Sequence, residues 1–106
     1  MDKVLNAIAE PRRRAILRLI QDRELSSGDI ASHFKVSGPA ISQHLGVLLN
    51  ARLVTVRREG TRRLYRARPE GLAEVRSFLE DFWDTSLRQL KAAAEDEERK
   101  AQARDN

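Results

Sequence analysis

SSGDIASHFKVSGPAISQHLGVLLNARLVTVRREGTRRLYR, residues 26–66, changes its hydrophobic period partway along, and that change decides the fold. Up to Asn50 the apolar residues recur at helical spacing. Ile30, Ala31 and Phe34 make one short stripe, and Ile41, Leu45, Leu48 and Leu49 make a second at i, i+4, i+7 and i+8. From Val54 the period drops to two. Val54 and Val56 alternate with Thr55 and Arg57, Glu59-Gly60 supplies a turn, and Leu64 and Ala67 flank Tyr65 and Arg66. Two helices followed by a two-stranded hairpin, near 53–58 and 62–67, are therefore expected.

Local signals place the helix boundaries. Ser26-Ser27-Gly28-Asp29 has the form of a capping box, in which a hydroxyl and an acid three residues later satisfy free amides at a helix start. The helix it opens should run to about Phe34. Lys35-Val36-Ser37 is a three-residue connection, and Ser37 suits the N-cap of a helix reaching Asn50, with Pro39 tolerated in its first turn. At about 100° per residue the apolar stripe of this helix points inward. Pro39, Ala40, Gln43, Gly46, Val47 and Asn50 fall on or near the outward face, with Ser42 at its flank. That face is small and weakly polar, as a groove-entering helix must be.

Upstream, Val4, Leu5 and Ile8 form a stripe, and Pro11 suits the first turn of a helix burying Ile16, Leu17 and Ile20, giving helices near 2–9 and 11–21. Downstream, Pro69 is expected to open a long helix carrying Leu72, Val75, Phe78, Leu79, Phe82, Trp83, Leu87 and Leu90. This stripe holds three of the chain's five aromatic residues, more than one terminal helix needs to cover a small core, so part of it should meet another subunit. Beyond Ala94 the chain is charged and alanine-rich, with the acidic run Glu95-Asp96-Glu97-Glu98. The expected organisation is a winged helix-turn-helix domain over 1–94 and a charged, disordered tail over 95–106. The fold class is mainly α with a small β-hairpin, in the order α-α-α-α-β-β-α.

A length of 106 residues suits one domain. The formal charge of +4 matters less than its distribution: between Arg52 and Arg68 seven arginines face one acid, Glu59. With no cysteine, disulfides and thiolate metal sites are out of reach. No apolar stretch approaches the roughly 18 residues of a membrane span, and the N-terminus lacks a continuous apolar leader, so a cytoplasmic protein is expected. Nucleophile motifs, phosphate-binding glycine loops and convergent acid pairs are missing, so an enzyme is not expected.

A helix-turn-helix presents the N-terminal half of its second helix to the major groove. The candidate DNA contacts there are Ser37, Pro39, Ala40, Ser42 and Gln43; the Gln43 carboxamide can pair bidentately with adenine. Arg62 and Arg63 at the hairpin tip, with Arg57, Arg58 and Arg66 along its strands, can bind phosphates or enter a narrow minor groove. The plainer readings are a solvated surface helix and an edge strand guarded by charge, although such guards usually mix signs or use lysine. Among Arg12, Arg13 and Arg14, one or two are expected simply to solvate their helix. His44, beside the inward Leu45, is expected to pack or to bond between helices, and His33 to lie on the surface.

Residues 3–94 resemble a winged-helix repressor of the ArsR/SmtB family. Pro11-Arg12-Arg13-Arg14-Ala15-Ile16-Leu17 resembles its second-helix signature. Ser42-Gln43-His44-Leu45, followed by Leu48 and Ala51-Arg52-Leu53-Val54, resembles its recognition helix and exit, and Glu59-Gly60-Thr61-Arg62-Arg63-Leu64-Tyr65 its wing. The resemblance implies a homodimer joined by the first and last helices, here Val4, Leu5, Ile8, Phe78, Phe82, Trp83, Leu87 and Leu90. It also implies binding to an imperfect palindrome in double-stranded DNA and repression at the chain's own promoter. Metal-sensing relatives carry cysteines where Ser26 and Gly28 stand, and others use histidines on the last helix, where residues 69–106 have none. No metal site and no cofactor are therefore expected. Gly38-Pro39 replaces residues that supply polar DNA contacts in many relatives, which leaves more to Ser42, Gln43 and the wing. The expected function is a metal-independent autorepressor of unknown effector. The alternatives are a repressor gated by an organic ligand or partner protein, and a winged-helix protein-interaction module.

Overall fold

The computed structural model describes residues 1–105, so Asn106, the end of the expected tail, lies outside the described residues. Pro11 occupies the first turn of α2 (Pro11–Leu19), where its missing N–H has no intrahelical partner to lose, and Glu10 caps that turn by accepting from Arg13 N at 3.0 Å. At the end of the preceding α1 (Asp2–Ile8) the Asn6 carbonyl accepts from Ala9 N at 3.3 Å, and α2 supplies further donors. Arg13 Nε and Nη2 donate to the carbonyls of Ala7 (2.6 Å) and Asn6 (3.1 Å), and Arg14 Nη1 donates to that of Ile8 (2.7 Å). Cationic donors thus meet the last acceptors and negative dipole end of a helix. The Arg12 guanidinium lies 5.2 Å from the centroid of the Phe34 ring, a cation–π contact. All three arginines thus hold structure, where solvation of α2 was expected of one or two.

Two further helices follow, α3 (Ser27–Phe34) and α4 (Gly38–Asn50). Their starts are capped by Ser26 Oγ, accepting from Asp29 N at 3.1 Å, and Ser37 Oγ, accepting from Ala40 N at 3.3 Å. Lys35 (φ 55°) ends α3 in the left-handed region, and Arg52 (φ 60°) does the same beyond α4. At each end the chain folds back onto the helix: Val36 N donates to Ala31 O at 3.2 Å and Leu53 N to Leu48 O at 3.0 Å, a Schellman pattern built without glycine. The turn between α3 and α4 is the expected Lys35-Val36-Ser37. Ile41, Leu45 and Leu48 of α4 are buried together with Ile16, Ile20, Ile30 and Leu53. Ala7 and Leu19 join this core although neither stood out in the apolar stripes.

The sheet has three strands, one more than the expected hairpin: β1 (Leu25–Ser26), β2 (Val54–Glu59) and β3 (Arg62–Ala67), in the antiparallel order β1-β3-β2. Leu25 pairs with Tyr65 and Ser26 with Leu64. Two residues are too few to show a period, and Ser26 carries the more visible signal of a cap. Val54 and Tyr65 are buried but Val56, expected to alternate with the polar positions, is 42% exposed, because the hairpin leaves the core after its base. Pro69 opens a short 3-10 turn (Pro69–Leu72), and α5 (Ala73–Asp105) begins four residues later than expected.

Contacts divide the chain into Met1–Val75, which contains the core, and the length of α5 from Arg76 onward. Where a disordered tail was expected from residue 95, α5 continues as a helix to Asp105. Alanine and pairs one turn apart, Lys100–Asp96 at 3.1 Å among them, favour that continuation. No helix among the described residues is long and apolar enough to cross a membrane.

The joint before α5 is tight. Arg68 N donates to Leu53 O at 2.7 Å, Arg68 Nη1 donates to Arg52 O at 3.1 Å, and a Cβ at Gly71 would overlap the Arg52 carbonyl oxygen. Backbone cannot step aside as a flexible side chain does. Gly71→Ala should therefore destabilise the fold by about 1–3 kcal/mol in urea unfolding; an unchanged midpoint would show that the joint yields without cost.

Candidate nucleic-acid interface

One-sided burial of α4 determines what its other side offers. With Ile41, Leu45 and Leu48 inward, Pro39, Ser42, Gln43, Gly46 and Asn50 are exposed, Ala40 and Val47 are half-buried, and Ser37 lies exposed at the cap. Ser42 and Gln43 make no side-chain hydrogen bond among the described residues, whereas the Ser37 hydroxyl already accepts from Ala40 N. The helix carries no Lys, Arg, Asp or Glu between Gly38 and Asn50. Its outward face offers short side chains and one carboxamide, and any charge for phosphates has to come from elsewhere.

That charge sits on the β2–β3 hairpin, whose register sorts it into two faces. Directly opposed residues share a face, so Arg58 pairs with Arg63 on the side of Val56 and Tyr65, while Arg57, Glu59, Arg62 and Arg66 occupy the other. On the second face two of the three arginines, Arg57 and Arg62, are neutralised. Arg57 Nε donates to Glu24 Oε2 at 2.6 Å and its Nη2 to Glu59 Oε2 at 3.1 Å; Arg62 Nη2 donates to Asp29 Oδ2 at 2.9 Å. The hydrogen bond and charge of Glu24, with a smaller share from Glu59, hold Arg57 above the usual arginine pKa. Glu24 precedes β1 and Asp29 lies in the first turn of α3, so both ion pairs tie the hairpin to the helix-turn-helix. Asp29, expected to close a capping box onto Ser26, spends its carboxylate on Arg62 instead. Arg58 and Arg63 have no ion-pair partner among the described residues. Like charges facing each other across a ladder are unfavourable, and an anion between them relieves the repulsion.

The four wing candidates are thus divided two and two. Glu24 and Asp29 were missed, since each lies 33 residues from the arginine it holds and leaves no local pattern. His44 sits behind the recognition face, its Nδ1 at 3.4 Å from Arg13 Nη1 and 4.0 Å from Glu10 Oε2, which links α4 to the α1–α2 junction as expected of a bond between helices. No three His, Cys, Asp or Glu side chains converge as metal ligands among the described residues.

The candidate subunit contacts also separate. Val4 and Ile8 are half-buried against the core of Met1–Val75, and Leu5 is exposed. Within α5, Phe78, Phe82, Trp83, Leu87 and Leu90 are all exposed, Phe82 at 63% and Trp83 at 64%, and Leu79 joins them. Phe78 and Phe82 stack one turn apart, with centroids 6.3 Å apart.

A three-stranded sheet behind a helix-turn-helix, with a charged hairpin extending from it, defines a winged helix-turn-helix protein. Residues 10–56 match the family described as bacterial regulatory protein, arsR family. The chain is 45% identical over 86 residues to the HTH-type transcriptional regulator Rv2034 of Mycobacterium tuberculosis, covering 81% of this chain and 80% of that one. It is 43% identical over 60 residues to the transcriptional repressor SdpR of Bacillus subtilis, covering 57% and 67%. Its fold is similar to the solution structure of the homodimeric winged helix-turn-helix DNA-binding domain Mb0332 from Mycobacterium bovis, with a TM-score of 0.64, 32% identity and coverage of 78% and 77%. This chain belongs to the arsR family and is a DNA-binding transcription regulator.

The two ion pairs predict a separable property of the wing. Exposed pairs contribute little to global stability but restrict local motion. Glu24→Gln combined with Asp29→Asn should leave the unfolding midpoint nearly unchanged while hydrogen exchange over residues 56–64 accelerates. Equal protection in variant and parent would mean that the sheet alone holds the wing.

Proposed function

We propose that this chain represses transcription, its own promoter included, by binding an imperfect palindrome as a symmetric homodimer, without a metal or other cofactor. The observation that carries this reading is the opposed, uncompensated pair Arg58 and Arg63 on a wing where Arg57 and Arg62 are tied down by acids. In this reading Ser37, Pro39, Ala40, Ser42 and Gln43 lie in the major groove, with Gln43 the principal base reader. Arg58 and Arg63 take backbone phosphates or the flanking minor groove, and Arg57 and Arg62 orient the wing and add to its field.

Support for the dimer is the exposed α5 stripe of Phe78, Phe82, Trp83, Leu87 and Leu90, an apolar face that a second copy would remove from water, with Leu5, Val4 and Ile8 contributing from α1. A twofold axis makes the operator a palindrome with half-sites about 34–36 Å apart. Metal independence rests on donor chemistry: the chain has no thiolate, and neither of its histidines lies on α5. The repressor sense follows the relative named as one. The domain over 1–94 then carries both DNA binding and dimerisation in a cytoplasmic protein.

The reading is tested by fluorescence anisotropy on the DNA upstream of the gene, at two salt concentrations, with a scrambled duplex and with chelator. Selective, salt-sensitive, chelator-indifferent binding is expected; no preference for the native sequence would overturn repression at the chain's own promoter and leave either a distant operator or a protein-interaction role. Gln43→Ala should cost about 1–3 kcal/mol on the operator and almost nothing on scrambled DNA, and equal losses on both would remove it as a base reader. Replacing Arg58 and Arg63 by alanine should weaken binding to every duplex and reduce the slope of log K against log salt by about 1–2. In sedimentation, Trp83→Ala should raise the monomer fraction at low concentration. An unshifted equilibrium would take Trp83 out of the interface.

A further inference from the structure

A cavity of about 290 Å3 opens between α2, the end of β3 and the 3-10 turn. Leu17, Leu53 and Leu72 supply apolar lining, and three arginines, Arg14, Arg18 and Arg68, line it without a single acid. Its size lies at the bottom of the roughly 300–1,000 Å3 typical of organic-ligand sites, which limits the occupant to a small molecule. Arg14 and Arg68 each spend one donor on a backbone carbonyl, Ile8 O and Arg52 O, and retain others on the same guanidinium. Arg18, one turn after Arg14 on α2, makes no side-chain hydrogen bond or ion pair among the described residues. We propose that this cavity binds a small organic monoanion with an apolar body, a medium-chain carboxylate in chemical class. The leucines take the chain and the guanidiniums the carboxylate, the geometry for which arginine is suited.

The site also occupies a joint. Leu53 links α4 to β2, and Ala67, another lining residue, is the last residue of β3. A ligand here touches the chain where recognition helix and wing are attached, and so regulates DNA affinity. This regulatory consequence rests on the function proposed above; ligand capture does not.

Capture is tested on the full chain labelled with nitrogen-15, without DNA, by titration with octanoate, 1-octanol and acetate. Octanoate should produce saturable shifts at Leu17, Leu53, Ala67 and Leu72 and bind about tenfold more tightly than octanol, with acetate silent. Arg18→Gln, on an exposed side chain with no structural bond, should bring octanoate down to the level of octanol, and Leu17→Trp should fill the cavity and abolish the shifts. Equal affinity for octanoate and octanol, or shifts confined to α5 around Phe82 and Trp83, would overturn the site. Operator affinity, measured by anisotropy with and without octanoate, should then change severalfold in the parent but not in Leu17→Trp. Unchanged affinity with the shifts intact overturns the regulatory role alone, and a chain that fails to bind DNA without octanoate overturns the earlier reading instead.

Discussion

Ile41, Leu45 and Leu48 leave water along a single stripe of α4, and the neighbouring elements are arranged around that burial. Removing such side chains from solvent contributes roughly 1.5–3 kcal/mol each, far more than any hydrogen bond on the outer face could return if the helix rolled about its axis. The roll angle is therefore determined by the core, and the residues at Pro39, Ser42 and Gln43 are displayed as a by-product. Both ends of the helix are closed by local means, Ser37 at the start and the left-handed Arg52 at the exit. The same exit turn delivers Leu53 to the core and sends β2 outward, so the wing's point of departure is tied to the helix it accompanies.

The arginines show how little a residue type means without its neighbours. Arg13 and Arg14 lie beside the last carbonyls of α1, and their donors are spent there. Arg57 and Arg62 lie within reach of Glu24 and Asp29 and are partly neutralised. Arg58 and Arg63 are different because the hairpin register places them opposite each other, on the face away from those acids. Net charge cannot separate these cases. What separates them is whether an acceptor belonging to the protein already stands where an anion would otherwise bind.

The helix-turn-helix was legible because each of its signals is local: the stripe of α4, the caps at Ser26 and Ser37, the three-residue turn, and the drop to period two at Val54. What escaped is whatever depends on distant partners. β1 is two residues long and exists only because β3 returns beside it. The partners of Asp29 and Glu24 lie a hairpin away, so the wing arginines could be counted from the chain but not sorted into faces. One or two of Arg12, Arg13 and Arg14 were expected to be plain surface charge, because neither an acceptor carbonyl at the end of a preceding helix nor the Phe34 ring beside Arg12 leaves a mark in composition. Pro69 suggested a helix start, yet the contact of Gly71 with the Arg52 carbonyl requires a tighter turn first. The exposed face of α4 could be drawn as a helical projection, whereas the cavity lined by Leu17, Leu53 and Leu72 draws on three separate stretches and has no local signature.

The ion pairs that orient the wing also complicate the meaning of salt sensitivity. Counterion release from DNA gives a slope proportional to the phosphates neutralised. The Arg57–Glu24 and Arg62–Asp29 pairs are exposed, so salt screens them over the same range. Added salt then weakens phosphate attraction and loosens the wing that delivers it, two effects of the same sign. A slope interpreted as phosphate contacts alone would overcount them. Removing the acids would change both contributions, since it also frees Arg57 and Arg62 for phosphate; removing Arg58 and Arg63 with the acids in place takes away phosphate attraction while the orienting pairs stay intact, so the salt dependence that remains includes their share.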